Sequence, residues 1–593
     1  MKKLISTLII VLFNLSLLFA QAIEEPEITT TELKEHIEYL ASDSIKGRKP
    51  GTPGGLLSAE YIKNRFTEMG LKPLADDGFQ YFEIVTEVSL GDNNSLKIGD
   101  YSAKPNEDYI PYSFSSNGKL ISQVVFGGYG FDLDLDSLKW NDYENIDVNG
   151  KWVMVLRGDP EPDNPDSKFY DFVKARDKVL TAKDKGAAGV LLVSGIKFDE
   201  TDKLVTLYYD KTKSGSGIPV LNIKRNLADK ILEISGKTIE QVENEIIETQ
   251  KPLSFAIPCE LFAETETLQH KVKTQNVIAV LEGNDPILKD QYIIVGGHYD
   301  HLGMGGYGSG SRIPDTIAVH NGADDNASGI AGIIEIAEKL AAQNNNKRSI
   351  IFMAFGGEEM GLLGSKYFVN NPLIDLKNID AMVNIDMIGR LNESNKILIG
   401  GTGTSKEAER ILNNNVKGAD INLSFSPEGF GPSDHASFYS ENIPVFFIST
   451  GAHEDYHTPF DDIDKINFEG QKTISVYLVN VIDDLSRRDS ALTFQEAGPK
   501  KNTNFRGRLK VTLGIMPDFT STDLKGLGVG GVRPDGPAKK GGMQKGDLII
   551  AVDGKSVENI YDYMNRLKKL KPGQIITVDI IRNDEKKVLL IQL

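Results

Sequence analysis

Cysteine is nearly absent from this chain: Cys259 is the only one in 593 residues. A single thiol cannot pair within the chain, and it lies too far from the amino terminus for lipid attachment. A disulfide framework is therefore excluded, and a large core or a bound metal must hold the fold. Positive charge is also scarce, with 66 Lys and Arg against 84 Asp and Glu, a net −18. So acidic a surface argues against nucleic acid and anionic membranes as partners. Long apolar runs are missing after residue 22, so nothing later in the chain reads as a membrane span. No internal repeat of solenoid or propeller period is found.

The one early apolar run has a different reading. Lys2 and Lys3 precede Leu4 to Phe19, and Ala20-Gln21-Ala22 follows with the small residues of a cleavage site. Residues 1–22 are expected to be a signal peptide, which sends the chain to a periplasm or the exterior. Ser6, Thr7, Asn14 and Ser16 interrupt the run and disfavour a stable span. Removing the two leader lysines takes the net charge to −20.

A chain this long needs several cores. Residues 23–115 open with helical patterns, "TELKEHIEYLAS" and "GGLLSAEYIKNRFTEMGL", that begin a mixed α/β unit. From 116 to 258 short β runs such as "KWVMVLRG" and "GVLLVSG" surround one helical pattern. From 259 to 488 strands alternate with helices, which predicts an α/β fold whose mixed, largely parallel sheet is flanked by helices. A polar linker at 489–501 leads to residues 502–593. That last stretch holds 16 basic and 10 acidic residues, +6 against −24 for the remainder, and this sets it apart.

Four apolar runs between 270 and 488 end in metal-seeking residues: "YIIVGGHYD" at His298, "SIIFMAFGGEE" at Glu358 and Glu359, "AMVNIDM" at Asp386, and "IPVFFISTGAHEDYH" at His453 or His457. In open α/β sheets such groups converge beyond the carboxyl ends of the strands. Asp325 stands directly before an apolar helical run, with Asn326 placed to cap it. One such residue is ordinary surface polarity. Five together, with six of the eight histidines falling between 298 and 457, point to a site. Two imidazoles and three carboxylates suit zinc with positions left open, and a bridging Asp325 would let two ions share a hydroxide. Adjacent Glu358 and Glu359 cannot point the same way, so one carboxylate on metal and one on water is a natural division.

His453 to His457 also spells H-E-x-x-H, which binds one zinc when it lies on a helix. Gly451 before it, Thr458-Pro459 after it and the absence of an amphipathic pattern argue against that helix. The glycine-rich stretch "LGMGGYGSGSRIPD" between His301 and His320 lacks the Gly-Lys-Ser/Thr of a phosphate cradle and reads as a loop that moves over the site.

Taken in order, "HYDH", "GADDNASG", "GGEEMGLLGS", "NIDMIG", "SDHASF" and "YHTPFDD" resemble the zinc metallopeptidase family of the bacterial leucyl aminopeptidases and glutamate carboxypeptidases. The resemblance implies that His298 and Asp386 hold one zinc and Glu359 and His457 the other. Asp325 would bridge them through a cis peptide bond to Asn326. Glu358 would be the general base, and Asp300 would orient His298. Some relatives supply an oxyanion-stabilising tyrosine before "SDHAS"; here Gly429-Phe430-Gly431-Pro432 has no hydroxyl, and Tyr456, next to His457, takes that role. Cobalt or manganese are possible substitutes for zinc. His435 is expected to be a hydrogen-bonded support.

Residues 116–258 resemble a protease-associated domain, on "GKWVMVLRGDP" and "AKDKGAAGVLLVSG". Residues 502–593 resemble a bacterial PDZ domain, on "GVRPDGPAKKGGMQKGDLIIAVDGKSVENIYDYMNRL". The latter implies capture of a peptide carboxyl terminus at Leu513, Gly514 and Ile515, with Gly526 to Val529 as the alternative loop. The whole reads as an exported di-zinc exopeptidase acting on peptide amino termini. A carboxypeptidase would need a basic clamp, for which Arg312 and Arg390 are the candidates, and a relic scaffold would have lost its ligands. Glutaminyl cyclases share the implied fold but use one zinc.

Overall fold

The computed structural model describes residues 26–75, 77–135, 138–162, 164, 167–209, 215–416, 418–497, 511–518, 525–532, 536–558 and 560–593. The expected leader, the end of the expected linker and residues 502–510 lie outside the described residues.

Among the described residues the largest sheet has nine strands. Its labelled strands are β1 (Thr267–Leu281), β2 (Tyr292–His298), β3 (Ser349–Phe355), β4 (Ile379–Ile385), β5 (Lys396–Gly400), β6 (Asn422–Phe425) and β7 (Val445–Ser449). They run in the order β1-β3-β2-β4-β7-β5-β6, and the amino-terminal arm adds Lys72–Pro73 and Phe79–Leu90 to β1. The centre, β3-β2-β4-β7, is parallel. The flanks are not: β1 pairs antiparallel with β3, and β7 antiparallel with β5. Both faces of the centre are covered, so these strands are near-continuous apolar runs in which every residue of β3 and β4 is buried.

Helices α1 (Gly329–Gln343) and α2 (Phe468–Arg487) cover one face. The sequence "GIAGIIEIAEKLAAQ" is apolar nearly all round because α1 lies between the sheet and α2. Its start is pressed against the sheet. A Cβ on Gly329 would lie 2.1 Å from Asn326 Oδ1, and one on Gly297 would lie 2.4 Å from the Ile385 carbonyl. Only glycine permits that approach.

A second sheet of eight strands carries its own core, including Trp152 and Trp140. It draws in Ser95–Ile98, Tyr101–Ala103 and Tyr109–Pro111, all ahead of residue 116, where the change of texture sets its start. Isolated three- and four-residue strands carry too little periodicity to be read in sequence. A third sheet of six strands forms from Ile515 onward around a separate apolar core. Its helix Ile560–Lys568 faces the second unit's helix Ala175–Asp184, where Arg566 makes a two-pronged ion pair with Asp184. Among the described residues no helix is long and apolar enough to cross a membrane.

Candidate metal centre

The expected ligands meet where the central strands end. His298 closes β2, Glu358 and Glu359 follow β3, and Asp386 follows β4. The loop after β7 brings His457, and the turn before α1 brings Asp325 through a cis Asp325–Asn326 peptide bond. Asn326 fastens that turn. Its Oδ1 accepts from the N–H groups of Gly329 and Met387, and its Nδ2 donates to the carbonyls of His298 and Ile385.

The histidine tautomers decide what this arrangement can hold. The Nδ1 atom of His298 lies 3.1 Å from the Asp300 carbonyl, and that of His457 lies 3.1 Å from the Gly310 carbonyl. A carbonyl only accepts, so each Nδ1 carries a proton and each Nε2 is the atom turned to the carboxylates. His298 Nε2 lies 3.3 Å from Asp325 Oδ1 and 3.5 Å from Asp386 Oδ1. His457 Nε2 lies 3.2 Å from Asp325 Oδ2 and 3.1 Å from Glu359 Oε2. Donor atoms bound tetrahedrally at about 2.0–2.1 Å sit about 3.4 Å apart, and these spacings match that figure. Asp325 turns Oδ1 to His298 and Oδ2 to His457. Asp325 Oδ2, Asp386 Oδ1 and His457 Nε2 are buried with no hydrogen-bond partner, and imidazole and carboxylate atoms so placed need a proton or a metal ion between them.

The electrostatics agree. Burial opposes charge on His298, yet Glu358 and Asp386 lift its pKa well above the ordinary range. Burial likewise opposes charge on His457, which Asp325 and Glu359 raise to about 10. Burial, followed by the negative neighbours Glu359, Asp434 and Asp386, holds Glu358 well above the usual carboxylate range against the pull of His298. The pocket has an excess of negative charge that divalent cations would neutralise.

Several supports are not legible in the sequence. Arg48, from the amino-terminal arm, is fully buried and spends its guanidinium on five carbonyls: Leu40, Tyr299, Asn321, Gly322 and Asp325. It thereby ties the loop after β2 to the turn before α1. Asp461 is buried and accepts the amide N–H groups of Asp324 and Asp325 at 3.0–3.2 Å. Replacing Arg48 with Met would take a side-chain donor from five buried carbonyls, of which Gly322 keeps the Ala327 N–H. The expected cost is about 3 kcal/mol or more, read as a lower denaturant midpoint for the domain; an unchanged midpoint would remove Arg48 from this role.

Asp300 meets His298 through its backbone and not through its carboxylate. Its carboxylate is 3.9 Å from His298 Nδ1, too long for a hydrogen bond, and accepts instead from the N–H groups of Glu358 and Glu359. The Asp300 backbone carbonyl orients His298. His301, not foreseen at the metal centre, places Nδ1 2.8 Å from Glu359 Oε1 and 3.7 Å from Asp325 Oδ2.

His453 and His457 do not share an ion, because residues 452–461 form turns without a helix and His453 faces Asp324 at 3.3 Å. Tyr456 stacks on His457 with 3.9 Å between ring centroids. Burial, then Asp325, Glu359, Asp386 and Glu358, push its hydroxyl above the ordinary tyrosine pKa, so it stays a proton donor. His435 is packed rather than hydrogen-bonded: it is buried, stacked on Phe447, and held by burial at a pKa of about 3. The glycine-rich loop is fastened to the site by Gly310 to His457, and by Arg312, which donates to the carbonyls of Glu454 and Tyr456. Arg390 faces Asp455 and Asp461. In the terminal unit Leu513 and Ile515 are core side chains and the Gly514 N–H is spent on Thr512 Oγ1, so only backbone of that loop could meet a ligand.

Comparison with known proteins assigns these parts. The family model of peptidase family M28 matches residues 276–482, that of the PA domain residues 98–231, and that of the PDZ domain residues 508–593. The chain is 31% identical over 179 residues to leupeptin-inactivating enzyme 1 of Streptomyces exfoliatus, which is 30% of this chain and 36% of that one. It is 26% identical over 362 residues to aminopeptidase YwaD of Bacillus subtilis, 59% of this chain and 64% of that one. The chain thus spans less than two thirds of the length of either relative. Among solved structures, an aminopeptidase from Aneurinibacillus sp. strain AM-1 aligns at 20% identity and a TM-score of 0.47, over 80% of this chain and 98% of that one. The segment that gathers His298, Asp325, Glu359, Asp386 and His457 matches the model of peptidase family M28, in a chain whose other segments match those of the PA domain and the PDZ domain.

Proposed function

We propose that this chain is a two-zinc exopeptidase that removes residues from the amino termini of peptides, with cobalt or manganese as substitute ions. His298, Asp325 and Asp386 would hold one ion, and Asp325, Glu359 and His457 the other. The observation that carries this reading is the division of Asp325 between two imidazoles, each with Nε2 turned inward by a backbone carbonyl. Bound there, two divalent ions supply Lewis acidity and an acidified water. Glu358 takes a proton from the attacking water and delivers it to the leaving amine, and its burial beside the centre favours the protonated form that it passes through. Tyr456 donates a hydrogen bond to the carbonyl oxygen as negative charge grows on it. Asp300 holds Glu358 and Glu359 in place by their amide groups.

The two arginines that could clamp a terminal carboxylate support the aminopeptidase reading, because Arg312 is engaged with backbone carbonyls and Arg390 with two aspartates. The sequence of residues 1–22 supports export. The PDZ domain would capture peptide carboxyl termini. Aminoacyl reporter substrates with a free amine should be cleaved, amine-blocked peptides with a free carboxylate should not, and a chelator should abolish the difference. Cleavage of blocked peptides alone would overturn the aminopeptidase assignment.

A further inference from the structure

The second ion's neighbourhood holds more imidazole than its coordination needs. His301 is 1% exposed, and its Nδ1 lies 2.8 Å from Glu359 Oε1. An ionised carboxylate can only accept, so the facing nitrogen carries the proton. His301 Nε2 is buried without a partner, which a lone pair tolerates more cheaply than an N–H group would. His301 therefore donates from Nδ1 to one oxygen of Glu359. The other oxygen, Oε2, faces His457 Nε2 at 3.1 Å. Asp300 and His301 together grip the same turn, the first through the amide groups of Glu358 and Glu359, the second through the Glu359 side chain.

We propose that His301 is a positioning residue that donates from Nδ1 to Glu359 Oε1 and so makes Glu359 a one-oxygen ligand of the second ion, leaving a position open there for substrate. This rests on the two-ion reading above. A hydrogen-bonded partner of a metal ligand fixes its rotamer, and its loss typically lowers metal affinity about 10–100-fold. The consequence is local: the ion held by His298 and Asp386 touches neither His301 nor Glu359, so its affinity should not follow.

The test is zinc titration of the full-length chain against a chelating indicator, with total bound metal counted independently, for the wild type, His301→Leu and His301→Asn. Leucine removes the donor, whereas the asparagine amide can offer an N–H near the place of Nδ1. The expected result is two ions in the wild type, a second ion weakened 10–100-fold in His301→Leu with the first unchanged, and recovery of most of that loss in His301→Asn. The thermal midpoints of the metal-free proteins should differ little. Wild-type affinity for both ions in His301→Leu would overturn the proposal, as would equal weakening of both ions together with a lowered metal-free midpoint. Complete loss of the second ion in both variants would make His301 a ligand and overturn the positioning role. A wild type that binds a single ion would instead overturn the two-ion reading, and the proposal with it.

Discussion

Glu358→Gln is expected to lower kcat by about 10²–10⁴-fold while both ions remain bound. The substitution keeps the shape of the side chain and removes only its capacity to take a proton. The backbone of Glu358 stays fixed by Asp300, and its side chain is not among the atoms that form either coordination shell. Metal content measured beside turnover separates the two roles of the adjacent glutamates: Glu359→Gln should lose the second ion, whereas Glu358→Gln should lose chemistry alone. Undiminished turnover with full metal content would remove Glu358 as the base.

Asp325→Ala is expected to have the broadest effect, because in the proposed arrangement one side chain supplies an oxygen to each ion. Both shells lose a donor, and the lone pairs of His298 and His457 lose the carboxylate that each shares with its ion. Zinc content after dialysis against a weak chelator should fall from two per chain to none, with activity falling in parallel. A structural collapse is not expected, since Asn326 and Asp461 hold the turn through groups the substitution leaves in place. Circular dichroism of the variant should match the wild type. Unchanged zinc stoichiometry would defeat the bridging assignment.

The residues that meet at the centre are legible in the sequence for a physical reason. Each of His298, Glu358, Glu359 and Asp386 closes or follows a strand that must be apolar because helices bury both of its faces. A polar side chain at the end of such a run stands out, and a parallel sheet gathers those ends along one edge. The parts that escape sequence reading have no such signal. Arg48 works through backbone carbonyls drawn from Leu40 to Asp325, and Gly310 works through its own carbonyl, so neither partner leaves a mark in the residue types. His301 sits in the same four-residue motif as His298, where the sequence offers no way to tell an imidazole aimed at a carboxylate from one aimed at solvent. Which part of Asp300 orients His298 is also not legible in the residue type, since carboxylate–imidazole pairs are common around metals. The adjacent backbone carbonyl is already closer, which frees the carboxylate for the amide groups of Glu358 and Glu359. The antiparallel flanks of the sheet escape for another reason, since strand direction is set by tertiary pairing and not by local pattern.

The most direct measurement is anomalous X-ray diffraction at the zinc edge from crystals of the full chain grown with zinc. The account predicts two peaks about 3.5–4 Å apart, one against His298 and Asp386, the other against Glu359 and His457, with Asp325 touching both. A single peak, or two peaks that Asp325 does not join, would contradict it.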